Sequence, residues 1–171
     1  CAEPAPLIVF LHGLGGSLGS ADDARPVADA VGAVLVAPAG VDQGGGLGFG
    51  PDQIPNSQTF FTMILDALQR EFPTDPAFTV LAGFSNGGVF ASYSIAWYNS
   101  RLAGVGIFAS GVAEDITDDL RAAASKIPVL VRVGDADTLH QPFADRLVAN
   151  LLAAGWPAAR VDASRFTGGH T

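Results

Sequence analysis

The chain has 171 residues, 49% of them apolar and 15% charged, with a formal net charge of −8. That is enough for one domain, residues 1–171, with a real core, and it is too apolar for a disordered segment. Lys126 is the only lysine, so no basic stripe exists to neutralise phosphates. Nucleic acid and anionic membrane surfaces are disfavoured as partners, and no apolar run approaches the length of a membrane span.

The first apolar run, Leu7 to Leu11, is continuous and β-branched, as a strand buried on both faces requires. A Gly-rich loop, His12-Gly13-Leu14-Gly15-Gly16-Ser17, follows it. Ser20 to Val31 reads as a helix, capped by Ser20 or Asp23, with Pro26 tolerated only near its first turn and Gly32 ending it. Ala33 to Ala37 is a second buried strand, stopped by Pro38. Ala39 to Asn56 is the longest irregular stretch, a length that usually marks a functional or mobile loop. Ser57 to Phe72 carries Phe60, Phe61, Ile64, Leu65 and Leu68 at helical spacing.

The second half continues the alternation. Strands are expected at Phe78–Ala82, Gly104–Phe108, Pro128–Val133 and Arg160–Phe166, and helices at Asn86–Tyr98, Thr117–Ser125 and Gln141–Ala154. Each strand–helix–strand step favours parallel pairing through a right-handed crossover. The expected fold is an α/β domain with a mostly parallel sheet of about six strands and helices on both faces. Loops that follow strands in such a sheet share one rim, where sites form.

One of those loops is Gly83-Phe84-Ser85-Asn86-Gly87-Gly88, between a strand and a helix. A serine centred in G-x-S-x-G in this setting is a nucleophile elbow. The turn must be sharp for the hydroxyl to stand above the sheet, and side chains at the two glycines would clash with the neighbouring strand and helix. The helix starting after Ser85 aims backbone N–H groups at a developing oxyanion.

A serine needs a base, usually an imidazole held by a carboxylate. Of the three histidines, only His140 and His170 follow Ser85. The chain order Ser, acid, His favours His170, after the last strand, with His140 as the alternative. The acid should follow the strand that ends near Val133, in Gly134-Asp135-Ala136-Asp137. Asp137 at the loop tip is favoured, and Asp135 is then a loop-capping residue accepting backbone N–H bonds. The oxyanion donors are expected to be the backbone of Asn86 and, from the loop after the first strand, Leu14. Leu47, Phe49 and Ile54 in the long loop, with Phe143 opposite, are candidate pocket walls, although core packing is the commoner fate of an aromatic.

Together these four motifs resemble the α/β-hydrolase superfamily. Gly83–Gly88 and the Gly168-Gly169-His170-Thr171 ending are similar to the polyhydroxybutyrate-depolymerase-like and feruloyl-esterase-like serine esterases. The His12-Gly13-Leu14-Gly15 opening with Gly134-Asp135-Ala136-Asp137 looks like the carboxylesterase and acyl-protein-thioesterase branch. The resemblance implies a minimal, lidless hydrolase, or a trimmed version of a larger one. It implies a small ester or a polyester chain as substrate, cleaved through an acyl-enzyme without a cofactor.

Rival readings are weaker. The loop after the first strand fails G-x-G-x-x-G at Leu18, and the second strand ends in Pro38 rather than an acid, which disfavours a dinucleotide site. The three histidines lie far apart in sequence with no H-x-x-x-H or cysteine pair, which disfavours a metal enzyme. A non-catalytic or truncated hydrolase-fold binding protein, a thioesterase and a peptidase with the same triad are the alternatives. Cys1 excludes an intrachain disulfide. It stands where a processed bacterial lipoprotein would carry its lipid, though a plain chain boundary is the blander reading. A secreted or cell-envelope location is favoured over the cytoplasm, and the oligomeric state is open.

Overall fold

Continuous apolar runs alternating with amphipathic ones build a layered α/β domain. The computed structural model describes residues 4–42, 46–50 and 54–171. In chain order it contains β1 (Ala5–Leu11), α1 (Arg25–Val31), β2 (Val34–Val36), β3 (Val41–Asp42), β4 (Leu47–Gly48), α2 (Ile54–Glu71), β5 (Thr74–Phe84), α3 (Asn86–Trp97), β6 (Gly104–Phe108), α4 (Thr117–Ala122), β7 (Val129–Gly134), α5 (Gln141–Ala153) and β8 (Val161–Phe166). Among the described residues, six strands form one sheet in the order β2-β1-β5-β6-β7-β8, and every neighbouring pair is parallel. The strand order reverses between β1 and β5. A crevice opens at the carboxyl ends of strands at such a switch point.

The two faces of the sheet are covered unequally. Leu7, Val9 and Leu11 of β1 are fully buried, with Leu81, Val105, Ile107, Val129 and Val131 beside them in one cluster. Phe61 and Leu65 of α2, Phe90 and Ile95 of α3 and Leu147 and Leu151 of α5 complete it. Burying each such side chain contributes about 1.5–3 kcal/mol relative to exposure. The alternate residues of the strands line an open apolar groove of about 1180 Å³, with Ile8, Phe10, Val80, Phe84, Phe108 and Leu130 on its floor and Val27 of α1 at its side.

α3 is the central helix, with buried residues from Gly87 to Ile95. Its two buried serines spend their hydroxyls within the helix. Ser92 donates to Gly88 O and Ser94 to Phe90 O, both at 2.8 Å, which removes the cost of unpaired buried groups. Phe90 holds the aromatic part of the core, with its ring 5.4 Å from Phe61, 6.3 Å from Phe49 and 6.1 Å from Trp97.

Besides shifted ends, as in β5, which starts at Thr74 rather than Phe78, three departures from the sequence expectation bear on the fold. The expected helix Ser20–Val31 is split into a 3-10 turn, Leu18–Asp23, and α1. A continuous helix would have lost the bond that Pro26 cannot donate and set its ring against the preceding turn, so the helix restarts with Pro26 in its first turn. Gly32 closes it at φ +63°, as expected. Second, the long loop holds an antiparallel ribbon, β3 with β4, in which Val41 pairs with Gly48 and Asp42 with Leu47. Third, α2 starts at Ile54, ahead of the Ser57 start that the apolar spacing suggests.

Phe90→Ala is expected to destabilise the fold by about 3–5 kcal/mol through lost burial and the cavity left behind. Equilibrium urea unfolding measures it. A loss under about 1 kcal/mol would show that the core is not centred on this ring.

Candidate functional site

β5 delivers Ser85 to the rim and α3 leaves immediately behind it. Ser85 sits at φ +52°, ψ −116°, one of two non-glycine residues with positive φ among the described residues. Backbone strain of this kind costs on the order of 1–3 kcal/mol and persists only where the surroundings enforce it. Here Ser85 N–H donates to Phe108 O (2.9 Å) and Gly87 N–H donates to His12 O (3.1 Å). The flanking glycines are sterically required. A Cβ on Gly83 would lie 2.3 Å from Gly87 O, and one on Gly87 would lie 2.3 Å from Leu11 O.

The loop after β1 is docked beside the elbow. His12 is buried, with Nε2 2.8 Å from Ala39 O, Nδ1 2.6 Å from Gly13 O and its ring 5.4 Å from Phe49. It thereby ties the end of β1 to the loop after β2. Gly15 N–H donates to Leu47 O and Gly16 N–H to Gly13 O, each at 3.0 Å. The backbone N–H groups of Leu14 and Asn86 have no acceptor among the described residues. The Asn86 side chain adds a link that the motif did not foretell, accepting the Phe49 N–H at Oδ1.

The remaining groups come from the ends of β7 and β8. His170 Nε2 lies 2.9 Å from Ser85 Oγ, and His170 Nδ1 lies 2.8 Å from Asp137 Oδ2. An ionised carboxylate only accepts, so Nδ1 carries the proton and Nε2 presents its lone pair to the serine. Asp137 is buried. Burial pushes its carboxyl up, but hydrogen bonds from the His170 and His140 side chains and the His140 backbone outweigh this and hold it below the usual carboxylate range.

Asp135 points elsewhere. It is exposed, and its Oδ1 accepts the Gly168 N–H at 3.0 Å, while Ala136 N–H donates to Gly168 O at 2.8 Å. The segment Gly168–Gly169 crosses β7 so closely that a Cβ on Gly134 would come within 2.3 Å of both carbonyl oxygens. Gln141, unremarked in the sequence, braces the same loop by donating to Gly134 O (2.9 Å) and Asp135 O (2.8 Å).

His140 does not lie far from His170, as its distance in sequence suggested. Its Nδ1–H donates to Asp137 Oδ1 at 2.8 Å, with Oδ2 at 3.1 Å. Its ring stacks on His170 at 4.1 Å and 18°. Phe84 packs on His170 at 5.0 Å. Among the described residues, Asp137, His140 and His170 are the one group whose ligand-type atoms all lie within 4.8 Å of one another. Sequence spacing does not foretell this, because His140 stands at the start of α5 and only the pairing of β7 with β8 brings His170 over it.

The pocket candidates separate. Phe49 is fully buried among His12, Phe60 and Phe90, so it is a core residue and offers a substrate no surface. Leu47 (42% exposed) and Leu14 (54%) stand together on the rim, where Gly48 brings the Leu14 side chain close to β4. Phe143 is half-buried with its ring edge-on to His140 at 6.1 Å. The side chain of Ile54 lies outside the described residues. The large groove reaches the Gly13–Gly16 loop and Phe84, but Ser85, Asp137 and His170 do not line it. Ser85 itself is half-buried. No helix of the described residues is long and apolar enough to cross a membrane.

No family model and no curated protein matches the chain. Solved structures do. An uncharacterized protein from Bacillus cereus ATCC 10987 superposes with a TM-score of 0.83 at 16% identity, over all of this chain and 56% of that one. Esterase PE8 gives 0.78 at 24% identity, over 99% of this chain and 86% of that one. The Bacillus cereus carboxylesterase gives 0.73 at 19% identity, over 98% and 81%. The chain thus spans little more than half the length of the first of these and most of the other two. At these identities the likeness speaks to fold. The chain has an α/β-hydrolase fold of the kind these esterases share.

Proposed function

We propose that the chain is a serine hydrolase that cleaves carboxylic esters through an acyl-enzyme. The observation that carries this reading is the unbroken line from Ser85 Oγ to His170 Nε2 (2.9 Å) and from His170 Nδ1 to Asp137 Oδ2 (2.8 Å), with the serine on a strained elbow. The esterases among the structural neighbours support the reaction class.

Ser85 attacks the ester carbonyl while His170 Nε2 takes its proton. Asp137 keeps the Nδ1–H tautomer and stabilises the imidazolium that forms. The tetrahedral oxyanion receives the backbone N–H groups of Asn86 and Leu14, which the fold leaves unpaired among the described residues. The positive end of the α3 dipole adds to this field. His170 then protonates the departing alcohol, and water repeats the sequence on the acyl-enzyme. The exposed apolar side chains of Leu14 and Leu47, on the loops beside the elbow, suit a short acyl ester or an extended polyester chain. The reaction needs no cofactor.

Two measurements test the reading. Hydrolysis of p-nitrophenyl esters from acetate to decanoate should fall at least about 10³-fold in Ser85→Ala. A well-folded wild type that hydrolyses none of them would overturn the proposal in favour of a binding role. Second, Asp137→Asn should lower kcat by about 10³–10⁴-fold, as an imidazole in the wrong tautomer does. Asp135→Asn should stay within about tenfold of wild type and lower Tm slightly instead, because the Gly168 N–H then meets a neutral amide oxygen in place of a charged carboxylate. The reverse pattern would move the acid to Asp135.

A further inference from the structure

A serine triad needs one imidazole on its carboxylate, and this one has two. Asp137 is approached by His170 Nδ1 at one oxygen and by His140 Nδ1 at the other, each at 2.8 Å. The two imidazole nitrogens and the carboxylate fall within 4.8 Å of one another. The site is reachable from solvent. The side chain of His170 is 36% exposed and that of His140 20%, above a carboxylate that is 3% exposed.

We propose that Asp137, His140 and His170 form a binding site for a d-block dication of the zinc type, and that filling it switches the triad off. Two neutral imidazoles and one carboxylate are a ligand set that such ions take readily and that magnesium or calcium does not. Three protein ligands leave a fourth position for water. The ion replaces the two protons that now bridge the histidines to Asp137. Bonds of about 2.0–2.2 Å draw the three donors together.

The consequence for chemistry follows from the tautomers. Each Nδ1 that coordinates the ion must give up its proton, and each ring takes one up at Nε2 through solvent, so no net charge is lost from the rings. His170 Nε2, 2.9 Å from Ser85 Oγ, then carries a hydrogen and donates to the serine. It can no longer accept the serine's proton, and the nucleophile is left without a base. His140 is what separates this site from an ordinary Asp–His pair, which would supply only two ligands.

The binding part of this inference stands apart from the esterase reading; the inhibition part rests on it. The experiment is calorimetric titration of Zn²⁺ and Mg²⁺ into the full chain carrying Cys1→Ser, so that the thiol contributes nothing. Co²⁺ absorption in the visible reports tetrahedral nitrogen ligation. One Zn²⁺ per chain, no Mg²⁺ binding, and at least about tenfold weaker Zn²⁺ binding in both His140→Phe and His140→Gln would support the site. Two variants guard against misfolding, which circular dichroism checks. Equal zinc affinity in the wild type and in both folded His140 variants, or no binding up to about 1 mM, would overturn it. In the same samples, ester hydrolysis should fall as Zn²⁺ saturates and return with a chelator. Hydrolysis that persists at saturation would overturn the switch. His140-dependent binding in a chain with no esterase activity would support the site while overturning the proposed function.

Discussion

Ser85 can stand at the rim only because backbone comes within van der Waals limits of backbone on both sides of it. Gly83 faces the carbonyl of Gly87, and Gly87 faces the carbonyls of Leu11 and His12, at separations that leave no volume for a methyl group. That contact puts the start of α3 directly over the switch point between β1 and β5. It therefore fixes three things at once: the strained positive-φ conformation of the serine, the aim of the first N–H of α3, and the position of the loop after β1. The Gly87 N–H bond to His12 O locks the last of these. His12 then extends the same constraint outward to Ala39, and Asn86 extends it to Phe49.

The imidazole beside Ser85 is fixed by a different device. His170 is on a short Gly-rich segment with exposed flanks, the kind of position where a side chain usually loses its geometry. Here it is held by main-chain pairing up to Gly134 and Phe166, by the Asp135 cap on Gly168, and by rings on both sides, Phe84 and His140. None of these is strong alone. An exposed hydrogen bond or ring contact contributes on the order of 1 kcal/mol. Their directions differ, however, so together they leave the imidazole little freedom to turn.

The parts of this arrangement that were legible in sequence are those written in local pattern. Leu7–Leu11 and Gly104–Phe108 are continuous apolar runs, and both become interior strands of the parallel sheet, with a neighbouring strand on each side. The elbow glycines are visible for the steric reason just given. Pro26 reads as restricted from sequence alone, but the break it causes depends on the turn before it, where Ser17 caps a separate 3-10 segment. Phe49 could be placed near the site but not assigned a direction, because its burial depends on Phe60 and Phe90 arriving from two other elements. The ribbon of β3 and β4 was hidden by its length, two residues per strand, too short for any periodicity to show.

His140 shows most clearly where local pattern stops. At three residues beyond Asp137 it reads as the start of α5, and Pro142 and the apolar spacing that follows confirm only a helix. What gives it meaning is the register of β7 against β8. Pairing Gly134 with Phe166 carries the segment after β8 back across the loop after β7, and that alone brings two imidazoles onto one carboxylate. A shift of one residue in that register would send Phe166 and its neighbours to the opposite face. The stacking of His140 on His170 is thus a property of sheet register, and the same register that orients His170 toward Ser85 also gathers Asp137, His140 and His170 into one cluster. The two roles compete for the same Nδ1 atoms, so a proton bridge and a metal bond there exclude one another.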